Sequence, residues 1–297
     1  MRAYLTGGTG FVGAWLLRHL AEVGDTAVAP GPEVDVLDLD LLAGDLEAAA
    51  PEVVYHLAAL THVGRSWREP GETFRVNALG TLNLLEAAAR CPTPPAVVLV
   101  SSAEVYGPAT DAGPLDEQSD LRPVTPYAAS KVAAEFLGLQ AFLGRGLRVV
   151  RARPFNHVGP GQSEDFVVSA LAKRMIEAEL GKTATVRVGN LAVSRDFTDV
   201  RDVVRAYRLL ATDGVAGEAY NICSGRAISI AELADQMAGL LSGEVRLVED
   251  PALFRPIEVP VLLGDDSKLV AATGWHPEIA LSSTLSDVLG YWRGRLG

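Results

Sequence analysis

The chain has 297 residues, of which 48% are hydrophobic and 21% charged, with a formal net charge of −11. That size allows one large α/β domain or a main domain with a smaller partner, and the acidic balance argues against nucleic acid or an anionic membrane as the main partner. Two cysteines, Cys91 and Cys223, are too few for a disulfide framework or a zinc cluster, so a reducing compartment and no metal are expected.

Ala3 to Leu5 is an apolar run that ends at a glycine cluster, TGGTGFVG. A helical pattern with Phe11, Trp15, Leu16, Leu17 and Leu20 follows and stops at Gly24. Strand, tight turn and helix in this order suit a pyrophosphate, because the first amides of the helix are unpaired and lie at the positive end of its dipole. Gly8, Gly10 and Gly13 satisfy G-x-G-x-x-G, and Gly7, Gly10 and Gly13 satisfy the variant G-x-x-G-x-x-G. With a strand starting so early no secretion signal is expected, and no apolar run reaches membrane-spanning length. The expected location is the cytoplasm.

A second strand is predicted at Thr26 to Ala29, ended by Pro30-Gly31-Pro32. Its end offers neither an acid for ribose hydroxyls nor an arginine for a 2′-phosphate, which leaves NAD and NADP both open. Asp35 is a candidate for the adenine amine. Leu39 to Ala50 reads as a helix, and Val53 to Ala59 as a buried strand whose small final residues let a flat cofactor cross the sheet. His56 reads as a core histidine and His62 as a candidate lining residue. A long helix is expected from Pro70 to Arg90.

Ala96 to Ser102 reads as the next buried strand, delivering Ser101 and Ser102 to the carboxyl edge, where open α/β sheets bind ligands. Glu104 and Tyr106 lie just beyond. After a polar loop to Pro126, Tyr127 opens a helix on which Lys131 follows at i+4, on the same face. Leu147 to Ala152 is a strand, RPFNHVGPGQS irregular, Phe166 to Leu180 a helix and Thr185 to Val188 a strand. SRDFTDVRD leads into a helix from Val200 to Leu210; a strand at Ala219 to Cys223 and a helix at Ile230 to Leu241 follow, and DPALFRPIEVP is a loop before two short terminal helical stretches. The alternation predicts a mostly parallel, doubly wound α/β sheet.

A tyrosine phenol, with a reference pKa of about 10, needs help to exchange protons at neutral pH. A lysine cation one turn away favours the phenolate, and a sheet-edge serine can hydrogen-bond the reacting oxygen. Ser102, Tyr127 and Lys131 thus form an acid/base set for carbonyl–alcohol interconversion with a nicotinamide as hydride carrier.

On TGGTGFVG, HLAA, SSAEVYG, YAASK, RPFNHVGPGQ and RPIEVP, the chain resembles the extended short-chain dehydrogenase/reductases of the nucleotide-sugar epimerase and dehydratase group. The resemblance implies a Rossmann domain over residues 1–155, with about 186–215 added, and a smaller, interleaved α/β substrate domain over 156–297. It implies NADPH or NADH as cofactor, with Gly7, Gly10, Phe11, Val12 and Gly13 at the pyrophosphate and Asp35 and Val36 at the adenine. Leu57, Ala58 and Ala59 would line the cofactor path, Tyr127 would exchange the proton and Lys131 would bind the nicotinamide ribose. A homodimer through two helices per subunit, one bearing Tyr127, is also implied.

FNHVGPGQSEDFV, VRVGNL, SRDFTDVRD, YNICSG and FRPIEVPVLLGDDSKL resemble the GDP-sugar branch, and within it the reductases of GDP-6-deoxy-4-keto-D-mannose that form GDP-D-rhamnose. That implies a GDP-sugar held by Asn156, Arg195, Arg255 and Glu258. Guanidinium groups suit a diphosphate and a carboxylate suits ribose hydroxyls. His157 reads as structural. Glu104 stands where related dehydratases carry a catalytic glutamate, and a carboxylate there could abstract a proton beside a 4-keto group. Ala103, where dTDP-glucose dehydratases carry an acid, disfavours that branch. GDP-mannose 4,6-dehydratase, nucleotide-sugar 4-epimerase and a non-catalytic NAD(P) sensor remain alternatives.

Overall fold

A computed structural model describes residues 1–108, 113–181, 185–254, 257 and 259–297. In chain order the first half comprises β1 (Arg2–Thr6), α1 (Phe11–Glu22), β2 (Thr26–Val28), α2 (Leu39–Ala49), β3 (Val53–His56), α3 (Val63–Arg68), α4 (Pro70–Phe74), α5 (Gly80–Arg90), β4 (Ala96–Val100), α6 (Pro126–Arg145) and β5 (Val149–Pro154). The second half comprises β6 (Asn156–Val158), α7 (Val167–Glu179), β7 (Thr185–Val188), β8 (Ser194–Asp199), α8 (Val200–Asp213), β9 (Ala219–Ile222), β10 (Ala227–Ser229), α9 (Ile230–Ala238), β11 (Arg246–Glu249), β12 (Val261–Leu262), α10 (Ser267–Thr273) and α11 (Leu281–Leu296).

The central sheet has the order β2-β1-β3-β4-β5-β9, and every pair in it is parallel. Its inner strands are almost wholly buried, because helices cover both faces and leave little room for a polar side. One face packs on α1 and α8 through Leu16, Leu20, Val203, Val204 and Tyr207; the other packs on α2 and α5 through Leu42, Leu46, Leu84 and Ala88. Strand order reverses between β1 and β3, which opens a crevice at their carboxyl ends. A second core joins α7, α9 and α11 to β6, β7 and β8. Among the described residues no helix is long and apolar enough to cross a membrane.

Four differences from the sequence reading have local causes. The helix expected from Pro70 to Arg90 widens into a π turn at Arg75–Leu79 and is preceded by α3. SRDFTD, taken as a lead-in, is strand β8, paired with β6, β10 and β12. Its polar residues disguised it: buried Asp196 accepts from Ser224 N and Oγ and Gly225 N, and Asp199 caps α8 through Arg201 N. Asn156–Val158, read as irregular, is β6 against that same strand. The last helix is 16 residues long, where only a short stretch was expected.

Candidate active site

The turn from β1 into α1 brings backbone closer than any side chain would allow. Gly7 has φ +73°, and a Cβ on it would stand 2.8 Å from Ala58 N. A Cβ on Gly13 would run into Gly7 O and lie 2.7 Å from the Cα and O of Gly8. Gly10 caps α1 without any side-chain hydrogen bond, so the first-turn amides face the crevice. These residues, with Leu57, Ala58 and Ala59, form one wall of a cavity of about 490 Å³. Ser102, Glu104, Tyr127, Lys131, Asn156 and His157 form much of the other. The uncapped helix start, above a turn packed too tightly for any Cβ, matches a dinucleotide pyrophosphate.

Tyr127 is placed by the start of α6. Thr125 Oγ1 accepts from Ala128 N at 3.0 Å, and Pro126 suits the first helical turn. The Tyr127 ring is buried, and its hydroxyl hydrogen-bonds Ser102. Ser102 Oγ also accepts from Glu104 N at 3.2 Å. Burial pushes the phenol up to about 12; the Ser102 hydrogen bond works against that and the Glu104 charge adds to it. Lys131 shares the Tyr127 face, but its ammonium donates to Val100 O at 2.9 Å. Burial lowers it to about 8, opposed by the charge of Glu135. Sequence reasoning expected lysine to draw the phenol down; here the lysine is turned to Val100 O, burial raises the phenol, and it is held in its proton-donating form.

Behind this wall, Glu135 is completely buried and accepts from Arg153 Nε (2.9 Å) and Nη2 (2.7 Å) and from Ser101 Oγ (2.5 Å). Ser101 is therefore directed at Glu135, and Ser102 is the serine at the tyrosine. Asn77, in the π turn, accepts from Leu60 N (2.7 Å) and donates to Leu60 O (3.0 Å) and to Ser130 Oγ (2.9 Å). Ser130 Oγ donates to Tyr127 O at 2.7 Å. Asn77 thus ties the loop after β3 to the helix that carries Tyr127 and Lys131. Sequence reasoning missed both positioning residues. The available signals were an asparagine inside an apolar helical run and a carboxylate at i+4 from Lys131.

Other expected residues are scattered along the crevice. Asn156 lines the cavity. Asp35 is exposed, its Oδ1 accepting from Leu37 N at 2.9 Å, while Val36 is buried against α5 beyond the cavity wall. Arg195 is buried on β8 and lies outside the cavity lining, Nη1 donating to the carbonyls of Ser194 and Val259, both at 2.8 Å. Arg255 and Glu258 fall outside the described residues. His56 is a core histidine: it bridges Thr6 Oγ1 (2.7 Å) and Thr81 Oγ1 (3.0 Å), and burial lowers it to about 3. His62 caps α3. His157 stacks on Phe11 with ring centroids 6.3 Å apart.

A doubly wound parallel sheet, a glycine turn opening the first helix and a Ser–Tyr–Lys set facing it define a nicotinamide-dependent short-chain dehydrogenase/reductase of the extended type. The family model for GDP-mannose 4,6 dehydratase matches residues 32–288, and the chain belongs to that family. It is 41% identical to the GDP-6-deoxy-D-mannose reductase of Pseudomonas aeruginosa, over 99% of this chain and 98% of that protein. A solved structure of RMD from Pseudomonas aeruginosa complexed with NADPH superposes with a TM-score of 0.92 at 40% identity, covering 99% of both chains. The UDP-glucose 4-epimerase of Thermus thermophilus in complex with NAD superposes at 0.89 and 27% identity, covering 100% of both.

Proposed function

We propose that this protein reduces the C4 keto group of a GDP-6-deoxy-4-keto-hexose with NAD(P)H to give GDP-D-rhamnose. The carrying observation is the Ser102–Tyr127 hydroxyl pair set across one cavity from the glycine cradle, in a chain so similar to a GDP-6-deoxy-D-mannose reductase. When bound, the reduced nicotinamide supplies the hydride. As C4 accepts it, the carbonyl electron pair moves onto oxygen and Tyr127 Oη gives that oxygen its proton. Ser102 Oγ hydrogen-bonds the same oxygen and helps carry the developing charge. Lys131 would bind the nicotinamide ribose, with Leu57, Ala58 and Ala59 along the cofactor path. Asn156, Arg195, Arg255 and Glu258 would hold the GDP-sugar, the last three by resemblance alone.

In this reading residues 1–155 with a later return segment bind the cofactor, and the remainder of 156–297 binds the sugar nucleotide. The core built by α7, α9 and α11, distinct from those on the two faces of the central sheet, supports that division. A reducing, cytoplasmic setting accords with Cys91 and Cys223, both free and buried. A homodimer through α6 accords with its exposed Phe136 (55%) and Leu143 (72%), and light scattering tests it.

The deciding experiment follows reduced-nicotinamide absorbance with GDP-6-deoxy-4-keto-mannose. Oxidation matched one-to-one by GDP-6-deoxyhexose is expected. A second reading, 4,6-dehydration of GDP-mannose, is favoured by Glu104 on the cavity wall. Conversion of GDP-mannose to the 4-keto sugar without net cofactor use, and no oxidation with the keto sugar, would select it.

A further inference from the structure

The loop after β2 resolves a choice that its sequence left open. Ala29, one residue past that strand, packs so closely on the glycine turn that a Cβ on Gly8 would overlap its own. In this fold the adenosine half of a dinucleotide lies against the end of the second strand. The chain turns there through Pro30-Gly31-Pro32, and Glu33 folds back over the turn. Its Oε1 accepts from Gly31 N at 2.9 Å, and a Cβ on Gly31 would lie 2.8 Å from that oxygen and closer still to Oε2. The carboxylate therefore occupies the place of a side chain at position 31, although the strand end itself bears no acid. It stands twenty residues past Gly13 in the chain, the separation at which dinucleotide folds place an acid for the ribose.

The surrounding charge points the same way. Between Arg18 and Arg65 the sequence contains no lysine or arginine. Arg75, the cation that feels the charge of Asp35, is held by Glu72 through Nε (2.8 Å) and Nη2 (3.0 Å). The loop is also anchored: Asn83 Nδ2 donates to Val36 O at 3.0 Å, and Val34 N donates to Gly31 O at 3.2 Å. A free 2′-hydroxyl can donate to a carboxylate held there, whereas a 2′-phosphate meets a like charge in place of a guanidinium.

We propose that this chain selects NADH over NADPH, and that Glu33 is the residue that discriminates. That departs from the Pseudomonas aeruginosa relative, which was crystallised with NADPH. The proposal rests on the nicotinamide-cofactor reading above. It is tested on the purified full chain by calorimetric titration with NADH and with NADPH, in the absence of sugar nucleotide. NADH should bind roughly tenfold tighter or more. Glu33→Gln keeps an acceptor for Gly31 N, so it should preserve the turn, weaken NADH and bring the two affinities together. Glu33→Arg should reverse the order. NADPH binding as tightly as NADH to the unaltered protein overturns the proposal, and an unchanged ratio in Glu33→Gln removes Glu33 from it. Binding of neither nucleotide would overturn the cofactor reading itself, a result distinct from either.

Discussion

Glu135→Gln removes a negative charge from the most enclosed ionic cluster at the site. The carboxylate is 0% exposed and faces Arg153 twice over, Ser101 and, at 3.5 Å, Arg151. Among the described residues Arg153, 3% exposed, would keep only Tyr106 Oη (2.9 Å) and Glu117 O (3.3 Å) as other acceptors. Breaking one side of a buried pair costs about 3–5 kcal/mol. For a chain of 297 residues the unfolding entropy is about 0.6 kcal/mol per kelvin, so Tm should fall by roughly 5–8 °C. The same charge opposes the burial-driven lowering of Lys131. Its loss should therefore also move the lysine's titration below about 8. Calorimetry and the pH profile of kcat/KM for the cofactor read the two effects separately. The paired change Glu135→Leu with Arg153→Met removes both charges and should recover most of the lost Tm. A Tm within about 1 °C of the parent for Glu135→Gln would refute the reasoning, as would a double variant no better than the single one.

Tyr127→Phe should lower kcat by about 10²- to 10⁴-fold while leaving the calorimetric Kd for the cofactor little changed; unaltered turnover would strip Tyr127 of its role. In the free protein the Lys131 ammonium is present below about 8 and is lost as pH rises through that value, so kcat/KM for the cofactor should fall on the alkaline side; a profile flat from pH 7 to about 9 counts against a cationic Lys131 in cofactor binding. Gly13→Ala places a methyl against Gly7 O and 2.7 Å from Gly8 Cα, which should lift α1 off the turn and abolish cofactor binding by titration. Normal affinity there would remove the glycine cradle from the site.

Much of this was legible in the chain because the signals are local. A glycine turn between an apolar strand and an amphipathic helix depends on neighbours in sequence, and so does the i, i+4 spacing of Tyr127 and Lys131. What escaped depends on distant partners. Strand β8 carries Arg195, Asp196, Thr198 and Asp199, and no alternation rule marks such a strand when its buried carboxylates are satisfied by Ser224, Gly225, Thr284 and Arg201. The π turn has no recognisable composition; it is defined by where Asn77 must point to reach Leu60 and Ser130. The Glu33 carboxylate folds back onto Gly31 across Pro32, so the strand end itself carries no sign of it.

The return of the chain to the central sheet limits how the protein can be taken apart. After β5 the backbone leaves to build part of the second core, and it comes back with α8 and β9 before leaving again. A fragment ending at residue 155 would lack the neighbour of β5 and the helix whose Val200, Val203, Val204, Tyr207 and Leu210 seal one face. Burial of those five side chains is worth on the order of 10 kcal/mol, about the whole margin of a folded domain. Exchanging nucleotide-sugar halves between relatives therefore requires several coordinated junctions, and cofactor and substrate preferences cannot be shuffled as two contiguous modules.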